Sequence, residues 1–80
     1  MKKILRFTAS WCSPCKVMAK NLEIANLDIP IEVVDIDLLS VIATEYNIKS
    51  IPTLVMLEHG REIKRLTGLQ PVMEIQSWAK

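Results

Sequence analysis

The sequence predicts an α/β fold of order β-α-β-α-β-β-α, a mixed four-stranded sheet flanked by three helices. Three observations lead there. Four short segments are rich in β-branched, aromatic or continuous apolar residues, and three others repeat apolar residues at helical spacing. The first strand, the first helix and the second strand follow one another, which implies parallel strands joined by a crossover. The last two strands are separated only by "EHG", which implies an antiparallel hairpin.

Lys2 to Ala9 is the first strand, with Ile4, Leu5 and Phe7 as its apolar residues. From about Ser13 the period changes. Cys15, Met18, Leu22 and Ala25 share one helical face, while Lys16, Lys20 and Glu23 lie elsewhere around the wheel. Pro14 fits only in the first turn, where its missing N–H loses no bond, so the helix begins at the cysteines and ends near Asn26. Ile31 to Ile36 is the second strand. Asp37 is expected to cap a short helix over "LLSVIATEY" that ends near Asn47. Thr53 to Leu57 is nearly all apolar, as a central strand should be, and Glu62 to Thr67 alternates beside it. After Gly68, Pro71 opens a last helix with Val72, Ile75 and Ala79 on one face.

Eighty residues make one domain, residues 1–80, and a chain of this size buries only about 60–65% of its unfolded surface. Half the residues are apolar, enough for a core and too many for disorder. The net charge of +1, with both signs scattered, argues against an electrostatic nucleic-acid or membrane binder. "MKKILRFTAS" invites comparison with a signal peptide, but Arg6 interrupts its apolar stretch far short of the roughly 7–15 residues required. The expectation is a cytoplasmic monomer that touches no membrane and carries no cofactor of its own.

The only two cysteines lie in one short loop, "SWCSPCK". A structural zinc site needs four ligands, and the one histidine, His59, stands in a distant turn, so a metal would have to be shared between chains. As a purely structural staple the pair would close a tiny loop and restrict the unfolded chain little. A redox-active dithiol explains the placement. Unpaired N–H groups and the dipole at a helix N-terminus favour negative charge, so the Cys12 thiolate, the attacking species in disulfide exchange, is stabilised there. Cys15 lies one turn further in, placed to attack a mixed disulfide on Cys12. Trp11 offers an exposed aromatic edge beside the nucleophile, and Pro14 stiffens the turn. A Cys-x-x-Cys pair beside a βαβ pattern in a cytosolic protein is a recognised redox signature.

"WCSPCK" resembles the active site of the thioredoxins, with Ser13 where the family usually has Gly. "SIPT", Ser50 to Thr53, resembles the family's cis-proline loop, and Gly60 and Gly68 also match in place. The likeness covers nearly the whole chain, although thioredoxins usually carry an extra strand and helix first. It implies the thioredoxin-like three-layer fold. It also implies Cys12 as attacking cysteine, Cys15 as resolving cysteine, and a redox disulfide between them. Pro52 would be cis and face the cysteines, with Ile51, Gly68 and the residues Trp11, Ser13 and Pro14 forming the substrate surface. The implied activity is reduction of protein disulfides. The implied partners are an NADPH-dependent thioredoxin reductase as electron donor and ribonucleotide reductase as one client. Two rivals stand beside it: a glutaredoxin-like enzyme fed by glutathione, and a thioredoxin-fold binding subunit with an idle dithiol.

Several positions depart from the family. Its buried Asp, six residues before the first cysteine, is replaced by Arg6, and its lysine on the next strand by Val33. Arginine cannot accept a proton. Asp35 falls on the same strand face as Val33, so either an Arg6–Asp35 pair lies behind the active site or Arg6 reaches out to solvent. Lys20 replaces a common helix-kinking proline, which predicts a straight helix, and Thr8 replaces a common aromatic. Lys16 either adds favourable charge near the thiolate or is an ordinary solvated lysine. Trp78 and Tyr46 read as packing residues, Asp35 and Asp37 as strand-end and helix-cap residues, and His59 as solvated.

Overall fold

The computed structural model describes residues 1–80. Its elements are β1 (Lys2–Thr8), α1 (Ser13–Ala25), β2 (Ile31–Asp35), α2 (Ser40–Glu45), β3 (Thr53–Glu58), β4 (Arg61–Thr67) and α3 (Val72–Ala79). The strands form one sheet in the order β2-β1-β3-β4. β1 and β2 are parallel, with Arg6 beside Val33 and Thr8 beside Asp35. β3 runs antiparallel to both β1 and β4.

Strand alternation divides the core between two faces. On one face Ile4, Leu54 and Met56 pack under Met18, Leu22 and Ala25 of α1 and Ile75 of α3. On the other, Leu5, Phe7, Val34, Val55 and Leu57 are covered by Ile42, Ala43 and Tyr46 around α2. Thr53 to Leu57 is buried without a break because β3 lies inside the sheet and both its faces are covered. Trp78 packs against the first cluster and Tyr46 against the second, its ring 5.8 Å from that of Phe7.

α1 runs thirteen residues without interruption through Lys20, as the missing proline predicts. It stops at Asn26, which takes the left-handed conformation (φ 51°) and donates its N–H to the Leu22 carbonyl. His59 (φ 54°) and Gly60 (φ 79°) turn the β3–β4 hairpin, with positive φ at both central residues, as a two-residue turn that matches the strand twist requires.

The second helix departs from expectation. It begins at Ser40, and Asp37 does not cap it. Asp35 Oδ1 instead accepts the backbone N–H groups of Asp37 (2.9 Å) and Leu38 (3.3 Å), closing a turn at the end of β2. The position before the helix is Leu39, which makes no side-chain cap bond, so α2 is held by its packing on the sheet.

Candidate active site

The cysteines lie at the mouth of α1. Ala9 accepts the Cys12 N–H (3.1 Å), which folds the loop after β1 back toward the strand end. Cys12 is the helix N-cap, in extended conformation, and its Sγ accepts the backbone N–H of Cys15 at 3.2 Å. A sulfur therefore occupies the position that a serine or aspartate oxygen usually fills. The two cysteines are joined by a disulfide, with Cα atoms 5.3 Å apart. Reduction leaves the N–H and the helix dipole aimed at Cys12 Sγ, and both favour its thiolate. Ser13 and Pro14 form the first residues of the helix, where proline loses no bond.

Ala9, Cys12 and Cys15 form a small buried cluster against which Ile36 and Ile51 pack. Ile51 precedes Pro52, and the peptide bond between them is cis. Thr53 Oγ1 donates to the Ser50 carbonyl (2.7 Å), and the Gly68 N–H donates to the Pro52 carbonyl (2.8 Å). Gly68 has φ 85°, a conformation that favours glycine, and through this bond the end of β4 holds the cis-proline loop. The structure thus brings together Trp11, Cys12, Cys15, Ile51 and, through its bond to Pro52, Gly68.

Two depressions flank the disulfide. One, of about 340 Å³, is lined by Trp11, Ile36, Ile48, Lys49, Ser50 and Ile51. Trp11 is 66% exposed, and its indole N–H donates to Asp37 Oδ2 at 2.8 Å. That bond, absent from the sequence reading, orients the most exposed aromatic of the site. Its only signal in the sequence is the polar residue Asp37 just past a strand end. The other depression, of about 260 Å³, lies behind Cys15 and includes Arg6, Lys16 and Asp35.

Arg6 and Asp35 share this cleft but form no ion pair. Arg6 stands beside Val33, not Asp35, and the Asp35 carboxylate is drawn into the turn that follows β2. Burial alone lowers the pKa of the Arg6 guanidinium, which keeps its charge at any ordinary pH. Lys16 is exposed at the rim of the same cleft.

Comparison with known proteins agrees with this geometry. A family model described as Thioredoxin matches residues 1–80. A thioredoxin-like protein of Synechocystis is 40% identical over 76 residues, which cover 90% of this chain and 72% of that protein. Thioredoxin of Chlamydia trachomatis is 39% identical over 70 residues, covering 84% and 69%. Among solved structures, mitochondrial thioredoxin 3 of Saccharomyces cerevisiae in its oxidized form superposes with a TM-score of 0.85 at 30% identity, covering 98% of this chain and 76% of the other. A mutant thioredoxin of Halobacterium salinarum gives 0.89 at 25% identity, covering 98% and 71%. The family match runs the full length of the sequence, and the chain belongs to the thioredoxin family of thiol–disulfide oxidoreductases.

Proposed function

We propose that this protein reduces disulfides of protein substrates and is itself reduced by an NADPH-dependent thioredoxin reductase. The observation that carries the assignment of roles is the Cys15 N–H aimed at Cys12 Sγ, which makes Cys12 the sulfur whose negative charge is stabilised. In the dithiol form the Cys12 thiolate attacks one sulfur of a substrate disulfide. A Cys12–substrate bond forms, the substrate S–S bond breaks, and one substrate thiolate leaves. Cys15 loses its proton and attacks Cys12 Sγ. The second substrate thiolate leaves, and the Cys12–Cys15 disulfide is formed. Two electrons have passed to the substrate, whose two thiolates end as thiols.

The groove between Trp11 and Ile51 suits an extended peptide segment, with apolar contacts on both walls and the backbone of the cis-proline loop for hydrogen bonds. Ribonucleotide reductase is one client class that such a carrier serves. The protein works as a monomer in the cytoplasm, where a dithiol can be kept reduced.

The test is turnover of a disulfide-containing protein in two coupled systems, NADPH with thioredoxin reductase and NADPH with glutathione and glutathione reductase. Faster turnover in the first is expected, with loss in Cys12→Ser and a trapped substrate adduct in Cys15→Ser. Faster turnover in the second refutes the reductase partner in favour of glutathione. A partner complex that forms equally well with both cysteines replaced, in a protein without turnover, refutes the enzyme and leaves a binding subunit.

A further inference from the structure

The resolving step requires Cys15 to lose a proton, and Cys15 is only 1% exposed. Its surroundings restrict where that proton can go. The cleft behind it is lined by Arg6, Thr8, Ser10, Lys16 and Asp35 as its polar residues. Arg6 and Lys16 are the cations of the cleft and offer N–H donors rather than an acceptor, and the two hydroxyls can only pass a proton on. Asp35 is the one anionic acceptor on the cleft. It is also held in place: Oδ1 accepts the N–H groups of Asp37 and Leu38, while Oδ2 takes part in neither bond. A cleft of about 260 Å³ has room for several waters between the two groups.

We infer that Asp35 receives, through water in this cleft, the proton that Cys15 sheds as it attacks the mixed disulfide. This route rests on the reductase reading above. As the Cys15–Cys12 bond forms, the proton leaves Cys15 Sγ through water and protonates Asp35, and the departing substrate thiolate takes a proton from solvent. Asp35 then releases its proton to the cleft, so the balance is that of the resolving step already described. Arg6 and Lys16, the cations facing the same cleft, favour the transient thiolate. Lys49 lines the groove on the other flank and Asp37 is bonded to Trp11, so neither belongs to the route.

The decisive feature is a difference in sign. If Asp35 were only a negative charge near the thiol, removing it would ease thiolate formation and speed the resolving step. If Asp35 takes the proton, removing it slows that step. Asp35→Asn keeps an oxygen for the two N–H bonds and removes only the charge and the basicity.

The probe is an aromatic disulfide whose released thiolate absorbs visible light, mixed with the fully reduced protein in stopped flow. At high reagent the first phase reports attack by Cys12, and a second phase that no longer depends on concentration reports attack by Cys15. Positioned acid–base catalysis contributes about 100-fold or more, and less when a water intervenes, so Asp35→Asn should slow the second phase about tenfold to a hundredfold at pH 7. The deficit should vanish as the pH is raised and hydroxide takes the proton directly. Asp35→Glu should recover most of the rate, and the first phase, measured in a Cys15→Ser background, should not change. A second phase that is unchanged or faster in Asp35→Asn overturns the route. So does a wild-type second phase with no solvent deuterium isotope effect, which needs no variant to fold. Absence of the first phase in the wild type sinks the reductase reading itself, and this route with it.

Discussion

Gly68 and Gly60 offer a matched pair of substitutions. Both have positive φ, 85° and 79°, and a methyl group on either α-carbon meets no atom within 4 Å. Neither Gly→Ala change therefore carries a steric clash, and the cost is that of holding an L-residue in the left-handed region, about 1–2 kcal/mol. The methyl also restricts the unfolded chain, so the net loss is about 1 kcal/mol, which lowers the Tm of a domain this size by about 4–8 °C. The two positions differ in what they hold. Gly68 donates its N–H to the Pro52 carbonyl, whereas Gly60 turns the far end of the same hairpin. An alanine at 68 relieves its strain by turning that N–H away from Pro52, and the loop beside the cysteines loosens. Thermal denaturation and substrate titrations on the two variants should then show equal losses of stability. Only Gly68→Ala should lose kcat/KM, by up to about tenfold for 1.4 kcal/mol of lost positioning. Gly68→Asn, which tolerates positive φ, should recover part of both. Equal kcat/KM in the two alanine variants would refute the positioning role of Gly68. Unchanged stability in both would refute the argument from φ.

Three further outcomes follow from packing and charge. Met18 is fully buried between α1 and the sheet, so Met18→Ala should cost about 2–5 kcal/mol in urea denaturation. Glu62 receives hydrogen bonds from Arg65 Nε (2.6 Å) and the guanidinium NH2 (2.7 Å), and these hold its carboxyl below the usual range. A depressed folded pKa stabilises the protein above the unfolded value and is lost as the pH falls through the folded one. The difference in urea midpoint between wild type and Glu62→Gln should therefore be present at pH 7, worth about 0.5–1 kcal/mol, and shrink in acid. Asp37→Ala removes the acceptor of the Trp11 indole, and in a Trp78→Phe background the fluorescence anisotropy of Trp11 should fall while stability changes by less than about 1 kcal/mol.

The sequence was most informative where a local pattern has one physical solution. Pro14 can only stand in a first turn, and the apolar spacing from Cys15 to Ala25 can only be one helical face, so α1 and the sulfur at its cap were readable together. β3 was readable because a short, nearly all-apolar run bounded by turn residues suits a strand covered on both sides, and Thr53 to Leu57 are all buried. The start of α2 was not. Asp35 and Asp37 are both good turn and cap residues, and what separates their roles is Trp11, 26 positions away, which takes the Asp37 carboxylate. The same limit applies to Arg6. Strand alternation correctly put Arg6 and Asp35 on one face, but whether they pair depends on the turn after β2, which competes for the carboxylate. The bond from Gly68 to Pro52 joins a strand end to a loop and has no local signature at all.

The fold also shifts the potential of the dithiol relative to the same segment unfolded, through two terms of opposite sign. Forming the disulfide between residues three apart restricts the unfolded chain by about 2 kcal/mol on the loop-entropy account, and this favours the oxidised fold. The Cys12 thiolate at the helix mouth favours the reduced fold by about 1 kcal/mol from the dipole. The remainder is about 1 kcal/mol toward the oxidised form. Around a thermodynamic cycle, that difference in folding stability equals the gap in potential between folded and unfolded dithiol, about 30 mV for each 1.4 kcal/mol. The folded pair should therefore be a slightly stronger reductant than the same Cys-x-x-Cys segment unfolded. Urea denaturation of the oxidised and reduced proteins, set beside glutathione equilibration of the native protein and of a denatured control, measures the same quantity twice. A reduced form more stable than the oxidised one by over about 1 kcal/mol at neutral pH would mean that the helix mouth outweighs the loop. The folded dithiol would then be a weaker reductant than the same segment unfolded, which counts against the reductase reading.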